Sequence, residues 1–176
     1  MTILHTARLR LEPFDMSHLD GLARMNSDPD VMRYLTGKPE SREETEAAIV
    51  RIQGRWIEWG YSWWSFIELE SKEVIGAGTI QRLGHDRANP LEIGWRLRKD
   101  KWGQGYASEA ARTMAAFAFD SIGDDLLSAV CHPENLDSAR VMQRLGMTYH
   151  GVETWYDMDT SVYRMTRADW ERVTSG

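Results

Sequence analysis

The run Trp102-Gly-Gln-Gly-Tyr-Ala-Ser-Glu-Ala110 constrains this chain more than any other stretch. Gly103 and Gly105 stand directly ahead of a segment whose Ala107, Ala110, Ala111, Met114, Ala115 and Ala118 form an apolar stripe at helical spacing. Upstream, Leu91, Ile93, Trp95 and Leu97 alternate with Glu92, Gly94 and Arg96 in the period of a strand. Strand, glycine turn and helix start, in that order, build a cradle for an anion. Glycines let backbone N–H groups approach a pyrophosphate, and the first helical turn adds free donors and a partial positive charge. A Walker phosphate loop is excluded, because Tyr106-Ala107 stand where Lys and Ser or Thr are needed. Ser108 would serve as the small third residue of a dinucleotide fingerprint. That fingerprint opens a βαβ unit near the start of a domain, however, and this loop lies past the middle of the chain. Taken alone, the loop is first a tight strand-to-helix turn and only second a nucleotide site.

A second constellation, Val130-Cys-His-Pro-Glu-Asn-Leu-Asp-Ser-Ala-Arg-Val-Met-Gln-Arg-Leu-Gly-Met147, changes that order. With the glycine loop ahead of it, the chain resembles the GNAT superfamily of acyl-CoA-dependent N-acyltransferases, and within it the branch of ribosomal-protein alanine N-acetyltransferases. The resemblance runs from Thr6-Ala-Arg-Leu-Arg-Leu-Glu-Pro13, like the first strand, to Val162-Tyr-Arg-Met-Thr-Arg-Ala-Asp-Trp170, like the last strand and closing turn. It implies that the glycine loop holds the pyrophosphate of acetyl-CoA and that the Pro-Glu-Asn segment opens a helix beside the thioester. The implied cofactor-binding set is Trp95, Leu97, Arg98, Trp102, Gly103, Gln104, Gly105, Tyr106, Ala107, Ser108, Asn135 and Ser138. Trp102 replaces the Gln or Arg usual at the first loop position, which leaves the backbone donors to do most of the binding.

Along the chain, Leu9 and Leu11 alternate with charged residues in a first strand that Pro13 ends. Ser17 to Asp20 starts a short helix, Asp28-Pro29-Asp30 begins a turn, and Ser41-Arg-Glu-Glu44 is a capping box. The helix that it opens carries Ile49, Ile52, Trp56 and Trp59 on one stripe and stops at Gly60. Trp63–Leu69 and Val74–Leu83 read as strands joined by a polar turn, followed by the strand ahead of the glycine loop. Beyond the loop helix come a strand at Leu126–Val130, a helix capped by Asn135 and ended by Gly146, and strands near Thr148–Trp155 and Thr160–Met165. Seven strands with interspersed helices over a single domain, 1–176, are thereby predicted. The resemblance implies an α/β (α+β) GNAT fold: a mixed, splayed, largely antiparallel sheet with helices on both faces.

Composition narrows the setting. One domain of 176 residues can bury a sizeable core, and the single Cys131 cannot form an internal disulfide. No segment reads as a signal peptide or reaches membrane-spanning length, so a cytoplasmic protein without a membrane partner is expected. With 27 acidic against 21 basic residues, the net charge of −6 speaks against nucleic-acid binding. An acidic surface would draw a cationic substrate, though it serves solubility more often. The histidines and the cysteine show no metal spacing, and no metal is expected. A monomer or a homodimer is expected.

Acyl transfer to an amine sets three tasks: a base for the amine, a donor for the oxyanion and a proton for the departing thiolate. Many relatives give the last task to a Tyr seven residues after the Asn, where this chain has Met142. The resembled branch implies Ser138 instead, with Asn135 holding the pantetheine arm or an ordered water. Read without the resemblance, Asn135 is a plain helix cap and Ser138 a first-turn residue. Glu92, two residues before Gly94 and on its face, is the candidate base, against an exposed strand carboxylate as the plain alternative. His132 is a second candidate for the base, and a structural histidine otherwise. Arg96, Arg98, Lys99 and Lys101 place cations beside the loop. Trp56, Trp59, Trp63 and Trp64 cluster where relatives build the acceptor pocket, and Tyr34, Trp63 and Glu92 are the expected substrate-binding residues. The expected activity is acetyl transfer from acetyl-CoA, in a ternary complex, to a primary amine such as a protein N-terminus, polyamine or aminoglycoside. The alternative is a CoA-binding sensor or interaction module without catalysis.

Overall fold

Alternating apolar segments pair into one sheet in the computed structural model, which describes residues 1–176. Strands β1 (Leu4–His5), β2 (Leu9–Pro13), β3 (Trp63–Glu68), β4 (Val74–Arg82) and β5 (Leu91–Leu97) follow one another antiparallel. β6 (Leu126–Cys131) lies parallel to β5, and β8 (Met158–Thr166) separates it from the edge strand β7 (Thr148–Trp155). The sheet thus has eight strands rather than the seven expected. The extra one, β1, pairs only Leu4 with Leu11 and His5 with Arg10, too short a run to show a period of two.

Helices α1 (Leu19–Asn26), α2 (Pro29–Met32) and α3 (Arg42–Trp59) come between β2 and β3. The Ser41 capping box forms as expected: its side chain accepts from the Glu44 N–H, and Glu44 accepts from the Ser41 N–H. Ile49, Ile52 and Trp56 face the core, and Gly60 ends the helix in the left-handed conformation. Two of the four clustered tryptophans are core residues: Trp56 meets Trp64 edge-to-face at 5.0 Å, and Trp64 meets Phe117 likewise at 5.3 Å. A final helix, α6 (Arg167–Thr174), occupies the segment read as a closing turn. Its signal was present in Thr166 and Asp169, which form a second capping box. No helix is long and apolar enough to cross a membrane.

The crossover from β5 to β6 is α4 (Tyr106–Ala116), which buries Ala110, Ala111, Met114 and Ala115. It lies close to the sheet because its buried face is mostly alanine and because β4 contributes glycines. A Cβ on Gly76 would lie 2.7 Å from both Leu97 Cδ2 and Phe66 Cδ2 and 2.8 Å from the Arg96 carbonyl oxygen. One on Gly78 would lie 2.8 Å from Met114 Cε. The opposite face of the same strands carries Gln81 against Glu92, Thr79 against Gly94 and Ala77 against Arg96. Helix α5 (Leu136–Leu145) follows β6 and packs beside α4.

β5 and β6 pair only through Leu91 with Leu127 and Glu92 with Ser128. Beyond Glu92 each strand stays with its other neighbour, β5 with β4 and β6 with β8, and a wedge opens between them.

These contacts make two glycines behave oppositely. Gly76→Ala should destabilise the fold by about 1–3 kcal/mol, because the Arg96 carbonyl cannot rotate aside as a side-chain tip would. Gly54→Ala, inside α3 with nothing within 4 Å of the new methyl, should stabilise by about 0.5–1 kcal/mol. Urea denaturation of both variants checks the pair, and equal signs would contradict the packing described.

Candidate active site

The outer part of the wedge, between β5 and the starts of α4 and α5, holds a cavity of about 570 Å³. Its floor is the glycine loop. Gly103 and Gly105 have φ of 69° and 83°, conformations that a side chain resists, and Gly105 is the N-cap of α4. No side chain caps that helix, so its first-turn N–H groups face the cavity without a protein partner of that kind.

The loop is pinned from behind. Arg8 donates to the Gln104 carbonyl at 3.0 Å, pairs with Glu109 at 2.9 Å and lies 4.0 Å over the Tyr106 ring. Buried Glu68 accepts from the Tyr106 hydroxyl, and both its oxygens lie 3.0 Å from Lys101 Nζ. Hydrogen bonds from Ser71, Tyr106 and Lys101 bring the Glu68 carboxyl down to about 2, so the anchor is ionised throughout the physiological range.

Trp95, Leu97, Trp102, Gly103, Gly105, Tyr106, Ala107, Ser108, Asn135 and Ser138 all line this cavity. Arg98 and Gln104 do not. Arg98 pairs with Asp100 at 2.6 Å and Glu73 at 3.3 Å, and the Gln104 amide donates to the Asp100 carbonyl at 2.9 Å. Lys99 lines the cavity but bonds Asp30 at 2.5 Å, and Lys101 is held by Glu68, so neighbouring carboxylates neutralise three of the four cations expected beside the loop. Positive charge reaches the cavity from the fourth, Arg96, and from two residues not expected, Arg33, after α2, and Arg144, near the end of α5. Neither lies near the glycines in sequence, so no local pattern could have found them.

A second cavity, about 450 Å³, lies on the α1 and α3 face of the sheet. The two share Tyr34, Leu35, Trp95, Arg96, Asn135 and Ser138, so they meet where β5 and β6 part. Asn135 is at once the cap of α5, accepting from the Ser138 N–H at 3.2 Å, and a wall of both cavities. Met142 is buried and faces the second cavity, offering a thioether with no proton to donate. Trp63 lines that cavity beneath the Arg96 guanidinium, which lies 4.8 Å above its ring. Burial pushes the Cys131 thiol up to about 11, so it stays protonated. His132 packs on Tyr34 at 5.1 Å, and its Nδ1 accepts the Glu134 N–H at 3.1 Å.

Glu92 is not the exposed strand carboxylate of the plain reading: it is 5% exposed and lines the second cavity. Burial raises its pKa to about 7, against hydrogen bonds from Gln81 and from Tyr156, each 2.7 Å long, that favour the charged form. Tyr156 was not foreseen. It occupies the turn between β7 and β8, where Tyr156 and Asp157 have φ of 54° and 59°. Both residues of such a turn favour Asn or Gly. Here the hydroxyl also accepts the Gly84 N–H at 3.1 Å, and the ring lies 5.6 Å from that of His85. A tyrosine at a hairpin tip carries no sequence mark of its partner, because only the strand order brings it to Glu92.

The family description "Acetyltransferase (GNAT) domain" matches residues 8–148. The chain is 30% identical to protein YkkB of Bacillus subtilis over 92% of its own length and 94% of that protein's. It is 29% identical to the FsC-acetyl coenzyme A-N(2)-transacetylase of Aspergillus fumigatus, covering 97% of this chain and 78% of that one. In fold it is similar to the ribosomal-protein-S5-alanine acetyltransferase of Vibrio fischeri, with a TM-score of 0.79 at 14% identity over 97% of this chain and 99% of that one. On the family match, which spans the glycine loop, the wedge and α5, this chain belongs to the GNAT acetyltransferases, enzymes that take their acyl group from acetyl-CoA.

Proposed function

We propose that the protein is an N-acetyltransferase that carries an acetyl group from acetyl-CoA directly to a primary amine, with both bound at once. The observation that carries this reading is the meeting of the two cavities at the wedge. One is lined by a glycine loop and an uncapped helix, the other by a buried carboxylate, and Asn135 and Ser138 lie on the seam. Acetyl-CoA supplies an activated acyl group as a thioester. The first cavity suits its phosphates, since first-turn N–H groups, Arg33 and Arg144 all border it.

In the second cavity the amine enters as an ammonium and gives a proton to Glu92, directly or through one water. The neutral nitrogen attacks the thioester carbonyl carbon, the new C–N bond forms and the C–S bond breaks. Ser138 Oγ–H donates to the departing thiolate and is reprotonated from solvent, while the second amine proton leaves with the product-forming step. The balance is one ammonium and one thioester giving one amide, one thiol and one proton. A Cys131 thiol held protonated supports direct transfer over an acyl-enzyme. Location in the cytoplasm belongs to the same reading.

Three variants test separate parts of it. Gly105→Val cannot keep the left-handed conformation and places its branch toward Arg8 Nη2, already 3.4 Å from a bare Cβ. Acetyl-CoA should bind at least tenfold more weakly, about 1.4 kcal/mol, by calorimetry; unchanged affinity in a folded variant removes the loop from the site.

Ser138→Ala should slow turnover by about a hundredfold while leaving acetyl-CoA affinity nearly intact. Turnover surviving whole would reduce Ser138 to a helix-start residue.

For Glu92, the wild-type kcat/KM should rise with pH through about 7, where the carboxyl ionises, and then level off. Glu92→Gln should instead follow the amine's own titration, near about 10 for an alkylamine. Its deficit is therefore greatest at and below neutrality and shrinks as pH rises. Parallel profiles at equal rates would move the base to His132 or solvent.

A further inference from the structure

The second cavity carries more positive charge than its carboxylates neutralise, in a chain whose net charge is −6. Three arginines line it, Arg51, Arg55 and Arg96, against two carboxylates, Glu40 and Glu92. Arg96 is partly partnered, with its buried Nε left without a hydrogen bond. Its Nη1 donates to Asn26 Oδ1 at 3.1 Å, its plane lies over Trp63, and Glu40 supplies the opposing charge. Glu92 sits buried under Gln81 and Tyr156 and forms no ion pair.

Arg51 and Arg55 are left over. They stand one turn apart on α3, on the same face. Burial and the charge of Arg51 both press the Arg55 guanidinium below its ordinary value, and no carboxylate acts on it to offset them. Burial and the same two arginines hold the His85 imidazole down. His85 packs on Tyr156, and Tyr156 donates to Glu92, so the arginine pair lies on the Tyr156 side of the candidate base. Two like charges facing a cavity without a carboxylate of their own repel each other, and an anion bound between them relieves that repulsion. Guanidinium groups favour a carboxylate, which they hold through paired N–H donors.

We propose that the acceptor carries a carboxylate of its own, seated by Arg51 and Arg55 while its amine faces Glu92. The proposal rests on the transfer reading above and narrows the acceptor to a small amino carboxylate, in place of a polyamine or aminoglycoside. Phe14, Ile52, Trp63 and Met142 give the cavity apolar walls, which suit an apolar or aromatic side chain on that amino acid.

The test measures thiol release from acetyl-CoA with phenylalanine, phenylalaninamide, phenethylamine and spermidine. Calorimetry follows the same amines binding to the CoA-saturated protein. Phenylalanine should exceed its amide in kcat/KM by at least tenfold. Ionisation cannot produce that excess, because the amide has the less basic amine. The ratio should fall toward one in Arg55→Ala and in Arg51→Ala, the latter an exposed substitution with little bearing on folding, and be largely kept in Arg55→Lys. Amide or spermidine turning over as well as phenylalanine, or a ratio that survives both alanine variants, overturns the proposal and leaves acetyl transfer standing. If no amine releases thiol, binding decides. A carboxylate preference lost in Arg55→Ala upholds the anion seat and sinks the transfer reading; no preference sinks the seat.

Discussion

Everything in the site follows from where β5 and β6 stop pairing. The two strands share two residue pairs and then diverge, and both cavities open into the resulting wedge. A parallel pair cannot be closed by a short turn, so α4 must cross between them, and its N-terminus necessarily falls at the open end of β5. The glycine loop therefore lies next to the wedge by topology, and the contacts of Arg8 and Glu68 fix its shape there. β6 ends at the same opening, which brings the Asn135 cap of α5 to the seam.

Glu92 sits at the last paired position before the strands part, and this explains its chemistry. One step in either direction would turn the side chain to the opposite face of the sheet, where Leu91 and Ile93 are buried in the core. At its own position it is buried yet reaches the cavity, with Gln81 across the strand pair and Tyr156 arriving from the far hairpin. Burial outweighs those two bonds and sets the carboxyl near neutrality. The sign has a consequence for stability. A carboxyl raised from 4.5 to about 7 stabilises the fold fully below the lower value, and that contribution is lost as pH rises through the upper one. Burying this carboxyl thus costs the fold some stability at neutral pH and above, which is consistent with the base role proposed for it.

Charge is distributed by partner as much as by sign. Lys99, Lys101 and Arg98 lie beside the glycine loop but are each satisfied by a carboxylate, so they hold the loop in shape. Arg33 and Arg144 reach the first cavity, while Arg51 and Arg55 reach the second. The overall acidity of the chain is silent about either cavity, because a net charge averages over surfaces that no ligand touches.

The sequence by itself determined what local patterns encode: the strand that carries Glu92, the glycine turn, the alanine-rich helix, the Ser41 and Asn135 caps and the order of the elements. Those are short-range matters of period, turn chemistry and capping, and two motifs in the right order were enough to place the fold and the acyl donor. It missed β1, whose two residues show no period, and read α6 as a turn although Thr166 and Asp169 carry its cap. Only the tertiary structure decided that Glu92 is buried rather than solvated, that Arg98 and Gln104 turn away from the first cavity, and that Tyr156 and the α3 arginines line the second. The reason is physical. Burial, ion-pair partners and cavity walls depend on which surfaces of distant elements meet, and the residues that meet at this wedge come from α2, α3, β5, α5 and the last hairpin, with no spacing in the chain that relates them.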